Sequence, residues 1–312
     1  MRRSSIRAGL ARRRAGNLLY MGQADAFTES VVDAVRRAWP EGLCSGRVEE
    51  LLGGEESRVI RAGDEVVRVG PTWRTSAEAE WCYTLAERLS ASCSEVVPPI
   101  RNLSAYATIR VENHPVSVWP WIDARPGARD ERRHRHEAAA VLAGLHAAAV
   151  ALDLPPRPPM SATTRPVATL ADPQLDEWLY EFKRSRARHA LHGDYYPGNL
   201  LFEGDYLVGV VDWDEAVVDA PEVELAVAAA EWGDVLRTGD LSEAVEFVEV
   251  YSDNGGTAAR IQAEVIAQLY RQRLRWELAY EEHHSGPLDS LNDEDRSYRM
   301  RQIALYHHLR GP

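Results

Sequence analysis

The stretch His192-Gly193-Asp194-Tyr195-Tyr196-Pro197-Gly198-Asn199-Leu200-Leu201-Phe202, followed by Val210-Val211-Asp212-Trp213-Asp214, constrains this chain more than any other. Leu200 to Phe202 and Tyr206 to Val211 are short apolar runs, and Glu203-Gly204-Asp205 between them has the composition of a turn. The pattern predicts a β-hairpin that folds back at Gly204 and returns Asp212 toward Asn199. Two oxygen-bearing side chains distant in sequence then converge, as a hard cation requires.

Those residue types suit phosphoryl transfer. Asp194 is the candidate general base: a hydroxyl is too weak an acid to lose its proton early, so a carboxylate orients it and collects the proton late. Asn199 and Asp212 are the candidate Mg²⁺ ligands, and the metal would bridge nucleotide phosphates and offset their charge. His192 is expected to orient the loop through hydrogen bonds. Asp214 can support the metal or the acceptor, or be a surface acid. A His-x-Asp tripeptide alone carries nothing; Asp-x4-Asn followed by a hairpin and Asp-Trp does.

Composition narrows the class. A chain of 312 residues has room for two lobes, and 45% apolar with 27% charged residues is the balance of a soluble globular protein. No run of 18 apolar residues is present, so no membrane span is expected. A net charge of −12 argues against nucleic acid as a partner. The first 20 residues hold six Arg and no acid, which leaves −18 on the remainder. An acidic body suits a cationic co-substrate, or it only maintains solubility. The leader lacks the apolar stretch of a secretory signal, so residues 1–23 read as a disordered basic tail, or as translation upstream of a start at Met21. Three cysteines (Cys44, Cys82 and Cys93) without a Cys-x-x-Cys pair point away from disulfides and structural zinc and toward a reducing, cytoplasmic setting.

Along the chain, Phe27, Val31, Ala34, Val35 and Ala38 repeat at helical spacing, with Pro40 as a stop. Strands are expected at 48–52, 58–61 and 65–69, then a helix from Ser76 to about Leu89, and two more strands within 106–119. Residues 24–118 therefore read as a small β-rich lobe with one main helix. Trp119-Pro120-Trp121-Ile122 ends it. Helices are expected near 133–152, 175–187, 223–230, 241–252, 258–282 and 293–309, so the lobe spanning 123–312 is mostly helical.

Taken together, His-Gly-Asp-x4-Asn and Val210-Val211-Asp212-Trp213 resemble the aminoglycoside phosphotransferase and choline kinase family. The likeness extends more weakly over residues 46–285. It implies an α+β, bilobal, protein-kinase-like fold and a nucleotide loop at Gly53-Gly54-Glu55-Glu56-Ser57. It also implies a phosphate-binding cation at Arg68, where kinases commonly use Lys, and an acid partner for it at Glu78, with Glu80 as the alternate. The interlobe hinge falls at 119–122, with Trp119 and Trp121 beside the adenine. His146 matches the family's Leu-His helix ending, with a core role expected, and Glu224 stands where the family often has a structural Asp. The expected activity is transfer of the γ-phosphate of ATP or GTP, with Mg²⁺, to a hydroxyl of a small molecule. An antibiotic or another amino-alcohol or sugar is the first choice, and homoserine-like acceptors stay open. Acceptor-side candidates are Glu231, Trp232, Asp234, Glu277, Glu281 and Glu282. The short step from Asp212 to Ala220-Pro221-Glu222 leaves no room for a regulated peptide-binding loop. The alternative is a catalytically silent kinase-like module that binds a nucleotide or a partner.

Overall fold

The computed structural model describes residues 19–20, 26–40, 42–52, 57–159 and 170–310. The order begins with β1 (Leu19–Tyr20), α1 (Ala26–Ala38), β2 (Val48–Leu52), β3 (Arg58–Ala62), β4 (Glu65–Val69), α2 (Ser76–Ser90), β5 (Thr108–Val111) and β6 (His114–Pro120). The six strands form one antiparallel sheet in the order β1-β2-β3-β4-β6-β5. Leu19 and Tyr20 pair with Leu52 and Leu51, so this part of the expected disordered tail is instead a strand. The rest of the tail lies outside the described residues.

Strand alternation divides the sheet's two faces. On one face Ile60, Ala62, Val67, Val69, Val116 and Val118 meet Val31, Val32, Val35 and Trp39 of α1 and its C-terminal end, all buried. The intervening positions, Val66, Arg68, Ser117 and Trp119, face the other way. Arg68 is thereby aimed away from the α1 core, and it pairs in register with Ser117.

Helix α2 starts at Ser76, and the cap is Thr75 and not Ser76, the cap that the sequence suggests. Thr75 is the N-cap and Glu78 the reciprocal partner in a capping box, an arrangement worth about 1 kcal/mol. Its apolar face (Trp81, Cys82, Leu85, Ala86 and Leu89) joins the main core of the second lobe and not the α1 core. The small lobe is thus tied to the large one by its own helix. A second tie is Val96, bridged to Val210.

The second lobe continues with β7 (Arg125–Pro126), α3 (Arg132–Val150), α4 (Pro173–Arg184), β8 (His189–Leu191), β9 (Leu200–Glu203), β10 (Tyr206–Val210) and β11 (Val217–Asp219). Helices α5 (Pro221–Trp232), α6 (Val235–Thr238), α7 (Ser242–Asp253), α8 (Ala263–Ser285) and α9 (Asp293–His308) complete it. The expected hairpin is present as β9 and β10, pairing Leu200 with Val210 across a turn at Gly204. Strands β7, β8 and β11 are too short for a periodic signal, and residues 258–262 precede α8 as non-helical chain.

Candidate active site

The loop after β8 carries the motif, and its shape is held by buried polar contacts. His192 is 3% exposed. Its Nε2 donates to the Val211 carbonyl at 3.0 Å, which leaves Nδ1 to accept from the Asp194 N–H at 3.2 Å. One neutral tautomer satisfies both bonds. Burial lowers the His192 pKa and outweighs the opposing pull of Glu224. The ring thus ties the Asp194 N–H to the Val211 carbonyl.

Gly193 has φ +86°, and a Cβ there would lie 2.0 Å from the Glu215 carbonyl oxygen. Only glycine fits this close approach of two backbones. Glu224, from the first turn of α5, accepts from the backbone N–H groups of His192 and Gly193 and from His146 Nε2. His146 Nδ1 meets the Tyr251 hydroxyl. Burial opposes ionisation of Glu224, but the His146 hydrogen bond and the nearby imidazoles win and hold its pKa below the usual value. The structural roles read for Glu224 and His146 thus have a physical basis: a buried carboxylate that fixes the loop carrying Asp194.

At the tip of the loop, Asp194 Oδ2 accepts from Asn199 Nδ2 at 3.1 Å, and Oδ1 accepts from Arg273 of α8 at 2.8 Å. Asn199 also donates to the Asp194 carbonyl at 3.0 Å, and its own carbonyl accepts from Val211 N–H. The hairpin therefore closes Asp212 back onto Asn199 as the sequence implied. Asp212 adopts φ 65°, ψ 67°, a left-handed turn at the end of β10.

Arg68 reaches across from the sheet. It donates to Asp212 at 2.8 Å and to Asp214 at 3.2 Å. Glu78 is not its partner, contrary to expectation. Glu78 is held by the Thr75 backbone and hydroxyl in the helix cap, and the guanidinium finds two acids on the opposite lobe. The alternate, Glu80, instead accepts from Thr108 and Arg101. Asp214 is no surface acid: it is 6% exposed and accepts the Tyr83 hydroxyl at 2.7 Å. Burial pushes its pKa up, Arg68 and Arg74 pull it further down, and it stays ionised. Arg74 bonds the Asp214 carbonyl and Glu215.

An amide oxygen and a carboxylate, Asn199 and Asp212, are the hard donors that Mg²⁺ takes. Among the described residues no group of three or more His, Cys, Asp or Glu forms a ready cage. Mg²⁺ does not need one, since it keeps waters and phosphate oxygens beside one or two protein ligands. The donor set is of the kind a divalent cation takes, and Asp212 Oδ1 accepts from Arg68 in this structure.

A cleft of about 170 Å³ runs past Asp194, Asp212 and Arg68. Ser57 lines it, while Gly53 and Gly54 lie outside the described residues. Trp119 is 5% exposed, edge-on to Tyr83 with its indole N–H on Ser117, so its side chain is core. Trp121 lies under the Arg61 guanidinium at 4.2 Å. Of the acceptor-side candidates, Glu231, Glu277 and Glu281 line the cleft. Trp232 is buried against Phe202, Asp234 is paired with Arg237 and Arg129, and Glu282 is exposed.

Sequence reasoning missed Arg273, Trp276 and Tyr280, which form the α8 wall of the cleft. Their spacing with Glu277 and Glu281 follows one helical face, so the signal was present. What was lacking was any mark that this face meets Asp194.

The phosphotransferase enzyme family's model matches residues 47–260. Curated relatives include homoserine kinases of Methylobacterium sp. (strain 4-46), 30% identical over 166 residues, and of Methylocella silvestris, 28% identical over 236. The first match covers 47% of this chain and 51% of that protein; the second covers 66% and 71%. The chain thus spans about half the length of the first curated relatives it matches. Similar solved structures include amicoumacin kinase hAmiN in complex with AMP-PNP, Ca²⁺ and Ami (TM-score 0.67, 12% identity, 89% of this chain and 93% of that one). A microcompartment-associated aminopropanol kinase gives 0.66 at 14%, covering 89% and 96%. A choline/ethanolamine kinase family protein from Mesorhizobium loti gives 0.62 at 17%, covering 92% and 95%. At these identities the likeness shows the fold, and it bears out the bilobal kinase-like expectation.

Proposed function

Because this chain belongs to the phosphotransferase enzyme family, we propose that it moves the γ-phosphate of ATP or GTP to a hydroxyl of a small amino-alcohol acceptor. The observation that carries the reading is the convergence of Asp194, Asn199 and Asp212 on one cleft, with Arg68 reaching it from the opposite lobe. The acceptor oxygen bonds to phosphorus as the bond to the leaving diphosphate oxygen breaks, and the hydroxyl proton passes to Asp194. Asn199 and His192 hold that carboxylate and its loop in place. Arg68 is placed to neutralise phosphate charge through its planar fork. A divalent cation on Asp212 and Asn199, Mg²⁺ in the first instance, would supply the remaining charge compensation.

The cleft wall holds seven carboxylates and three guanidiniums, and Arg129 and Arg299 pair with Glu231 and Glu281 from outside it; the remaining acidic excess suits an ammonium on the acceptor. The names of the homoserine kinase relatives and of the aminopropanol kinase neighbour agree with an amine-bearing acceptor.

A mass-shift screen with Mg·ATP and Mg·GTP against hydroxylated amines, amino acids, sugars and antibiotics tests the proposal. A gain of one phosphate on a small amine is expected. Asp194→Ala should abolish the gain while Mg·ATP binding by calorimetry stays within a few fold. Unchanged turnover in that variant refutes the assignment.

A further inference from the structure

Acceptor-side carboxylates such as Glu231 and Glu281 suit a cation, but the group bonded to Asp194 Oδ1 is itself a cation. Arg273 donates through Nη2 to Asp194 Oδ1 at 2.8 Å and through Nε to Glu277 Oε1 at 2.8 Å. Glu277 is 6% exposed, and Gln302 donates to its other oxygen at 2.9 Å. The guanidinium also lies 5.2 Å from the Trp276 ring centroid. Arg273 is therefore anchored at its Nε edge, with its terminal end directed to the reacting centre.

This placement has two consequences. Both oxygens of Asp194 already accept donors, Arg273 on Oδ1 and Asn199 on Oδ2. An incoming hydroxyl can use a remaining lone pair, but protonating Asp194 leaves the Arg273 charge without this anion. An ammonium-bearing acceptor without an anion would also be repelled by a guanidinium at this point. A carboxylate on the acceptor removes both difficulties. It matches the guanidinium fork and takes the place of Asp194 as its counter-ion. Meanwhile Glu231, fixed by Arg129 and Tyr270, and Glu281, fixed by Arg299, line the same cleft and favour an ammonium.

Resting on the phosphotransferase reading, we infer that Arg273 is a specificity-determining residue that recognises the carboxylate of a zwitterionic, hydroxyl-bearing acceptor, and that this exchange of partners releases Asp194 to act as the base. The amine-bearing alcohol of the proposed activity is thereby narrowed to a hydroxy amino acid.

Matched acceptor pairs that differ only by a carboxylate test this: L-homoserine with 3-aminopropan-1-ol, L-threonine with 1-aminopropan-2-ol, and L-serine with ethanolamine. Steady-state kcat and KM are measured for the parent, Arg273→Ala and Arg273→Lys at saturating Mg·ATP. In the best pair, the parent should favour the amino acid by roughly 10²-fold or more in kcat/KM, as sites built around a polar substrate group do. Arg273→Ala should bring the two members within about threefold. Most of that change should be a rise in KM for the amino acid, with the amino alcohol unchanged or improved. Arg273→Lys should recover part of the preference, and it decides the matter if the Ala variant does not fold. Equal use of both members by the parent overturns the inference while leaving phosphate transfer intact. So does a preference that survives both substitutions, or a loss shared equally by both members. Transfer to no acceptor of any class overturns both readings.

Discussion

Replacing Glu224 by Ala should unfold the catalytic loop before it touches any substrate group. The carboxylate is 5% exposed and accepts from the His192 N–H at 3.3 Å, from the Gly193 N–H and from His146 Nε2 at 2.8 Å. Ala leaves three buried donors without that acceptor. A buried donor stripped of its acceptor costs about 1–3 kcal/mol, and some relaxation or water entry offsets part of the sum, so a net loss of about 3–5 kcal/mol is expected. At roughly 2 °C per kcal/mol for a chain of this size, the melting temperature should fall by about 6–10 °C. Glu224→Gln keeps an acceptor oxygen and the volume, and should cost about 1–2 kcal/mol.

The pH dependence provides a second arm. The folded-state pKa of Glu224 lies below its ordinary value of 4.5. Its contribution is therefore complete above about pH 4.5 and is lost as the pH falls through the lowered folded value. The stability gap between parent and Ala variant should be constant near neutrality and should shrink on acidification below that point. Urea unfolding at several pH values measures both. A gap under 1 kcal/mol at pH 7, or one that widens in acid, refutes the argument that this carboxylate holds the loop.

Other outcomes follow from the same geometry. Gly193→Ala places a Cβ 2.0 Å from the Glu215 carbonyl at φ +86°, so a stability loss above about 2 kcal/mol and a collapse of kcat are expected in thermal melts and turnover assays. Asp212→Ala should weaken Mg²⁺-dependent nucleotide binding in calorimetry, and equal affinity for Mg·ATP in variant and parent would remove Asp212 from the metal site. Arg68→Ala removes one ion-pair partner of the buried Asp214, which keeps the Tyr83 hydroxyl and Arg74, so urea unfolding should show a loss below the roughly 3–5 kcal/mol of an uncompensated buried charge. His192 is kept neutral by burial, with its folded pKa lowered from 6.5. Below pH 6.5 the unfolded chain binds the proton first, so stability should fall from there until the lowered folded value is passed. A flat stability profile between pH 6.5 and 5 would contradict the buried, neutral assignment.

Much of the fold was legible because its signals are local. The β9–β10 hairpin follows from apolar runs around Glu203-Gly204-Asp205, and α1 from the spacing of Val31 and Val35 before Pro40. Strands β7, β8 and β11 were not legible, because two or three residues carry no period. Arg68 was found as a cation on a strand, but its partner was assigned by analogy to Glu78. Glu78 lies at a helix N-terminus, where its own cap competes for it and wins.

The sequence by itself determined the grouping of the candidate site: Asp194, Asn199 and Asp212 share one loop and one hairpin, so short-range geometry brings them together. Tertiary structure alone decided what surrounds them. Arg273 lies 79 residues after Asp194 in the chain, on a separate helix, and Tyr83 and Arg74 come from the other lobe. Their meeting with Asp194 and Asp214 depends on how α8 and α2 pack, and a contact set by packing leaves no pattern within either segment.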